Sequence, residues 1–376
     1  MNVLILSHSY FAQENQKNII SLSSFCRVKC VLPKQWDAPF GHGGAFQATQ
    51  NKELFVPLKS VIVFRSQYIF TSISLGVLHF RPDIINIEYN PWSLMFFLAL
   101  LYKVLFSRHS KIVCTIKKNT FIKRPGFWGR LRFFIASLSL RMTDHIIAVS
   151  GMAQDLLTNK FAVPLWKISL CQHLGVDTEI FKPAPIDVIN RKDAQKSIVI
   201  GYCGRLAKHK GIEDLIEAVH RVRKGNKVHV TLKLLGEEYP ENWLIPYSAP
   251  HTWVEILPAV SLTEVADFLR ELDIFVLPSR NLPDHQEHDA HALLEALATG
   301  LPCVGTRSGI IPEILGDGTG CLVEPENPEE LAKVLEKLMF NPEYRNELAV
   351  RSRQKATKEF ALDALTSKKV DIFKGI

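Results

Sequence analysis

Short apolar runs of strand length recur along this chain, and each is followed by a polar loop and then a stretch with helical spacing. In the first half they are Asn2 to Leu6, Arg27 to Leu32, Asp83 to Glu88, Lys111 to Ile116, Asp144 to Val149 and Lys167 to Cys171. A strand covered on both faces reads as a continuous apolar run, so this alternation predicts parallel sheets of the α/β type. At Ser197 the alternation starts again: SIVIGYC is a strand, and Ile212, Leu215, Ile216, Val219 and Val222 follow at helical spacing. Strands at Val228 to Leu235, Trp253 to Leu257, Asp273 to Leu277, Cys303 to Thr306 and Gly320 to Val323 complete the second series. With 376 residues the chain exceeds one ordinary core, so two domains are expected. Pro183, Pro185 and the polar run to Lys196 place a linker at 183–196, with a second domain at 197–361.

Hydrophobic content of 47% and charged content of 22% suit a globular chain. The seven cysteines are odd in number and lack paired metal spacing, which points to thiols of a reducing compartment. MNVLILSHSY has no basic n-region or cleavage site and reads as a first strand, so a cytoplasmic protein is expected. The longest apolar run, Trp92 to Phe106, falls short of the roughly 20 residues that span a bilayer.

Net charge is +7 and unevenly placed. Residues 1–190 hold 21 Lys and Arg against 10 Asp and Glu, a net +11; the remainder holds 24 against 28, a net −4. Ten cations lie between Lys103 and Arg141, where Lys117, Lys118, Lys123, Arg124, Arg130 and Arg132 are interleaved with Phe121, Phe127, Trp128, Phe133 and Phe134. That pattern predicts docking of residues 103–141 on an anionic membrane surface, the protein lying peripherally at its inner face. No nucleic-acid-binding motif accompanies the charge, so nucleic acid is not an expected partner.

The candidate site centres on LPSRNLPDHQEHDAHALLEALATGLP, residues 277–302. A strand ends at Leu277, a polar loop follows, and a helix is expected from near Asp289 to Gly300. Glu287 sits in the loop and Glu295 eight positions later, a little over two turns inside the helix. The positive helix N-terminus favours a diphosphate, and the carboxylates could grip sugar hydroxyls. After the strand SIVIGYC, Gly204, Arg205 and Lys210 form a turn with two cations able to reach one anion. Ser7, His8 and Ser9 follow the first strand at the carboxyl end, where open α/β sheets place ligands.

Taken together, these stretches resemble the family-four retaining glycosyltransferases, the group 1 glycosyltransferases. The resemblance is carried by Glu287 and Glu295 with Pro278, Ser279 and Leu294 to Pro302; by the Gly204-Arg205-Leu206 to Lys210-Gly211 loop; by Gly175-Val176-Asp177 with Phe181-Lys182-Pro183; and by Ser308, Gly309, Pro312 and Glu313. It covers about 140 to 360 and implies the GT-B fold, two facing Rossmann-like domains with parallel sheets and an interdomain cleft. The last helix of that family crosses back, so the first, acceptor- and membrane-facing domain is expected at 1–182 plus 362–376.

The resemblance further implies a retaining, metal-independent hexosyltransferase that needs no cofactor and moves a sugar from a UDP- or GDP-linked donor to a lipid-linked or surface-polysaccharide acceptor. Implied donor contacts are Gly204, Arg205, Lys210, Glu287, His288, Asp289, Ala290, Glu295, Ser308 and Gly309. Arg205 and Lys210 would neutralise the diphosphate and Glu287 would hold the transferred sugar, with Lys118 a further catalytic candidate. The family's His after the fourth strand is replaced by Lys117, Lys118 and Asn119, which with His8 and Ser9 are candidate acceptor or sugar contacts. His285, His288 and His291 near Glu287 fit sugar selection better than a metal site. A GT-B-fold nucleotide-sugar epimerase and a non-catalytic sugar-nucleotide-binding subunit are the competing readings. A dehydrogenase is disfavoured, because no G-x-G-x-x-G follows either first strand.

Overall fold

The structure is a computed structural model that describes residues 1–36, 44–63, 67–70, 79–121, 125–184, 197–225, 229–283, 286–288 and 290–376. Lys123, Arg124, Asp284, His285, Asp289 and 185–196 of the expected linker lie outside them. The chain divides into two units, Met1–Gly175 with Leu362–Ile376, and Val176–Ala361. The division falls earlier than the expected boundary at 183, because the segment after Gly175 is tied to the second unit. Val176 N–H donates to the Phe360 carbonyl at 2.8 Å, and the Arg353 guanidinium donates to the carbonyls of Phe181 at 2.7 Å and Thr178 at 3.2 Å.

In the first unit, β1 (Asn2–Leu6), β2 (Arg27–Pro33), β3 (Phe55–Leu58), β4 (Ile84–Ile87), β5 (Lys111–Ile116), β6 (His145–Ala148) and β7 (Ile168–Leu170) form one sheet, ordered β7-β6-β5-β4-β1-β2-β3. All its pairings are parallel. Side chains alternate faces with period two, which splits the core into two layers. Leu4, Leu6, Ile85, Ile87, Ile112 and Cys114 pack on one side under α2 (Leu94–Phe106). Val3, Ile5, Val28, Cys30 and Val113 pack on the other with Ile19 of α1 (Gln16–Ser23) and the C-terminal helix. Two further helices, α3 (Phe127–Met142) and α4 (Gly151–Phe161), flank β6; the Ser150 hydroxyl caps α4 by accepting from Ala153 N–H at 3.1 Å. β3 has no sequence expectation behind it: FVPL carries a proline, which demotes a run from central strand, and it does sit at the sheet edge.

The sheet of the second unit holds β8 (Ser197–Cys203), β9 (His229–Leu235), β10 (Val254–Leu257), β11 (Ile274–Leu277), β12 (Cys303–Thr306) and β13 (Cys321–Val323), ordered β10-β9-β8-β11-β12-β13 and again all parallel. Helices α5 (Ile212–Gly225), α6 (Leu262–Glu271), α7 (His291–Ala298), α8 (Pro328–Phe340) and α9 (Pro342–Lys355) cover it. Their apolar stripes and the strands make one continuous core. A last helix, α10 (Leu362–Lys374), belongs to the first unit, where Ser21 Oγ donates to Asp363 Oδ1 at 2.9 Å and Phe373 enters the core.

Beneath the carboxyl end of the first sheet lies a buried polar cluster that strand periodicity could not reveal. Glu88 accepts from the Tyr10 hydroxyl at 3.0 Å and from Asn86 Nδ2 at 3.1 Å, and its other oxygen lies 2.8 Å from His173 Nε2. Asn86 in turn accepts from Thr115 Oγ1 at 2.9 Å. Among the described residues no helix is long and apolar enough to cross a membrane, and all seven cysteines are free thiols.

Candidate active site

The carboxyl ends of β8, β11 and β12 carry the residues of interest in the second unit. After β8 the chain turns through Gly204 and Arg205 to a short 3-10 turn, Lys208–Lys210, and Gly211 then opens α5. Gly211 has φ +66°, and a Cβ there would stand 2.1 Å from the Pro278 carbonyl, so only glycine lets the loops after β8 and β11 touch. Arg280 binds the same junction. Its N–H donates to the His209 carbonyl at 2.9 Å, and its guanidinium donates to both oxygens of Asp214 at 2.7 and 2.6 Å and to Glu213 at 2.6 Å. A planar fork held in this way has little freedom.

With the loops joined, Lys210 Nζ lies 2.6 Å from Glu287 Oε2, and the Ser279 hydroxyl donates to the same oxygen at 2.6 Å. Burial alone would push the Glu287 carboxyl up. The Lys210 ammonium, by charge and hydrogen bond, and the Ser279 hydroxyl outweigh it, holding the group below the ordinary carboxylate range. Glu287 is therefore a fixed acceptor of hydrogen bonds. The sequence reading gave Lys210 to a phosphate and Glu287 to a sugar as separate tasks; the fold makes them one ion pair.

The backbone at Glu287 is fixed by the loop after β12. Ile310 N–H donates to the Glu287 carbonyl at 2.9 Å, and Ser308 Oγ accepts from Glu287 N–H at 3.4 Å. Gly309 has φ +52°, and a Cβ there would fall 1.6 Å from the Glu287 carbonyl oxygen. Gly309→Ala is expected to cost more than about 1–2 kcal/mol, since the left-handed strain alone is of that order and the backbone must also move. The urea midpoint of the variant checks it.

The expected helix start near Asp289 is corrected to His291, with Ala290 as an N-cap that offers no side-chain hydrogen bond. An alanine has nothing to cap with, so the cap position itself contributes no side-chain hydrogen bond to the first turn. Glu295 consequently lies a little over one turn inside α7, not two, and is half-buried. Burial first, then its charge, push up the thiol of Cys203 at the end of β8. His288 is half-buried with Nδ1 3.2 Å from the Gln286 carbonyl. Arg205 is exposed just beyond β8, its carbonyl accepting from the buried Tyr202 hydroxyl at 2.8 Å.

In the first unit, the fold brings Ser9 and Lys117 together at the carboxyl ends of β1 and β5, where the ammonium donates to the Ser9 hydroxyl. His8 is half-buried, its ring tilted against that of Tyr89 with centroids 5.4 Å apart; desolvation first, and then Lys117, bring its pKa down to about 3. It is neutral at physiological pH. Lys118 is exposed. Asn119 is buried and accepts from the Ser150 hydroxyl at 3.0 Å, which ties it to the start of α4. The sequence reading missed Arg280 and the Ser279 hydroxyl as partners: Arg280 meets its carboxylates from 66 and 67 residues away, and no local pattern marks that.

Residues 187–355 match the sequence model of the glycosyl transferases group 1. The match lies almost wholly within the second unit and contains every residue of the Lys210–Glu287 cluster. An MMP alpha-(1->4)-mannosyltransferase of Mycolicibacterium hassiacum is 29% identical over 62% of this chain and 54% of its own length. A capsular polysaccharide biosynthesis glycosyltransferase of Staphylococcus aureus, CapM, is 27% identical over 63% of each. The chain thus spans about half to two thirds of the length of these relatives. Among solved structures, Anabaena HepE in complex with UDP aligns over 100% of both chains with a TM-score of 0.75 at 15% identity. A glycosyltransferase from Rickettsia africae aligns over 100% of this chain and 98% of its own with a TM-score of 0.72 at 16% identity. These likenesses show the fold, the α/β GT-B class with two parallel-sheet units. The family match and the relatives support a group 1 glycosyltransferase.

Proposed function

We propose that the protein transfers a sugar, with retention of anomeric configuration, from a nucleoside-diphosphate donor to a lipid-linked or surface-polysaccharide acceptor at the inner face of a membrane. The observation that carries this reading is the buried Glu287 carboxylate, held ionised by Lys210 and Ser279 at the carboxyl edge of a parallel sheet. The match to group 1 glycosyl transferases over the same residues supports it, as does the capsular-polysaccharide relative. The UDP bound to HepE favours a uridine donor.

In the reaction, the C1–O bond to the diphosphate breaks while the acceptor oxygen bonds to C1 from the same face, and the acceptor proton passes to the leaving phosphate. Negative charge grows on that leaving oxygen, so Arg205 and Lys210 lower the barrier by being in place beforehand. Glu287 accepts from hydroxyls of the transferred sugar, and Glu295 from the ribose. The ammonium of Lys210 touches both tasks: contact with Glu287 orients it, and the diphosphate draws on its charge. The cations are side chains, so the mechanism calls for no metal.

Titrating UDP, GDP and ADP against thermal stability tests the donor site. The matching nucleotide at 100 times its dissociation constant is expected to add about 2.7 kcal/mol. No shift with any of them, together with no turnover of the corresponding sugar donors, would overturn the reading. Formation of an epimer from donor alone would replace transfer by epimerisation.

A further inference from the structure

We propose that the outward faces of α2 and α3, with the turn Leu165–Lys167 beside them, form a single platform whose apolar side chains enter an anionic lipid bilayer surface. It rests on the membrane-side reading above and gives it a surface. That surface extends beyond the basic-aromatic stretch visible in the sequence, to Phe97 on one side and Trp166 on the other.

Helix α2 is apolar on both its inner and outer faces, Lys103 being its one charged residue. Its inner residues Met95, Phe96, Ala99 and Leu100 are buried in the first unit's core. Its outer stripe, Phe97, Leu101 and Leu105, recurs every four residues and stays exposed, Phe97 by 53%. A helix apolar on both faces is ordinarily covered on both. Helix α3 packs beside α2 and repeats the arrangement: Phe127 (70% exposed), Phe134 (63%) and Leu138 share its outer face with Arg130 and Arg141. The third piece is held against the end of α3, because Lys167 Nζ donates to the carbonyls of Leu140 at 2.9 Å and Arg141 at 3.1 Å. Trp166, the next residue back, is 79% exposed. Surface apolar residues scattered singly are unremarkable, but a contiguous face of this kind marks a contact.

Charge selects the occupant. Residues 101–175 contain 12 Lys and Arg against two acids, Asp144 and Asp155. Asp144 is engaged by Lys103 at 2.9 Å and by the Ile112 N–H at 2.7 Å. A second copy of the chain would set this cationic surround against itself. A layer of anionic headgroups pairs with the cations and opens onto acyl chains that accept the aromatics. Tryptophan at such a boundary keeps its ring among the tails and its N–H in the wet zone.

The test is co-sedimentation of the full chain with vesicles of phosphatidylcholine alone and of phosphatidylcholine with phosphatidylglycerol. Binding is expected on the anionic vesicles and is expected to weaken with salt. The pair Phe134→Ser with Trp166→Ser, and separately the pair Arg130→Glu with Arg141→Glu, should each reduce it by about tenfold or more. All four side chains are exposed or lie at the surface, so the thermal midpoint and the shift produced by UDP or GDP should be retained. Absence of binding to anionic vesicles, or full binding by both variants, overturns the platform. So does conversion of a dimer to a monomer by the Phe134/Trp166 pair with vesicle binding unchanged. Vesicle binding without any nucleotide shift would leave the platform standing and remove the glycosyl-transfer reading instead.

Discussion

Glu287→Ala is expected to slow turnover of the sugar donor by about 10²–10³-fold, the size of effect seen when one preorganised group at a reacting centre is removed. The reason is specific to the geometry. Glu287 is the point where Lys210 and Ser279 converge at 2.6 Å each, so the alanine removes both the group proposed to hold the sugar and the anchor of the cation. The freed Lys210 ammonium is then released toward the diphosphate. Affinity for the bare nucleoside diphosphate should therefore be unchanged or increased while turnover collapses, a split that a misfolded variant would not show. Arg205→Ala should behave differently, weakening nucleotide binding and turnover together, because it removes a charge offered to the diphosphate. Turnover and nucleotide titration on the two variants measure both signs. Undiminished donor turnover in both would count decisively against the proposed function.

Glu88→Leu carries the largest expected effect on stability, a loss of about 3–5 kcal/mol in the first unit. The carboxylate is buried and serves Tyr10, Asn86 and His173 at once; removing it strands three buried polar partners. Glu88→Gln should cost less, since an amide of the same shape keeps part of the network. The cluster also sets a pH dependence. Burial raises the Glu88 carboxyl, but His173, by charge and hydrogen bond, and Lys117 outweigh it and bring the group below the ordinary range. Burial first, and then Lys117, lower His173 to about 4 from 6.5. A neutral imidazole donating to an ionised Glu88 satisfies both directions. In the unfolded chain His173 takes up its proton near 6.5 and Glu88 near 4.5, whereas the folded unit resists both. The unfolded state thus binds more protons below pH 6.5, and stability must fall as pH drops through 6.5 and further through 4.5. Amide exchange at Ile85 and Ile87 followed against pH localises the effect to the first sheet, which a global denaturation curve of a two-unit chain would not.

Most of the secondary structure was readable in advance because burial imposes a local period. Asn2–Leu6, Lys111–Ile116, Ser197–Cys203 and Cys303–Thr306 fall at the expected limits, and each is a plain apolar run between turn signals. Helix α7 starts at His291, two residues beyond the Asp289 near which it was expected, and Ala290 gives that start no side-chain cap. The loop glycine at 211 was expected; the reason it must be glycine, the Pro278 carbonyl of another strand's loop, was not. The stretch interleaving cations with aromatics was visible as composition. Which aromatics face outward was not, and Phe121 proves buried while Phe127 and Phe134 stand exposed.

By itself the amino-acid sequence determined two parallel α/β units, the loops that carry the cations and carboxylates, and a positively charged first half. These follow from periodicity, turn chemistry and charge, all properties of neighbours along the chain. Only the tertiary structure decided that Lys210 and Glu287 are one pair, that Arg280 clamps the first turn of α5, that Glu88 and His173 share a buried bond, and that α2, α3 and Trp166 lie side by side. Those partners are 66 to 85 residues apart where their separations in the hydrogen-bonded pairs are counted. Over such distances a charge or an aromatic ring leaves no trace in local spacing, because strand order, not sequence order, sets who meets whom.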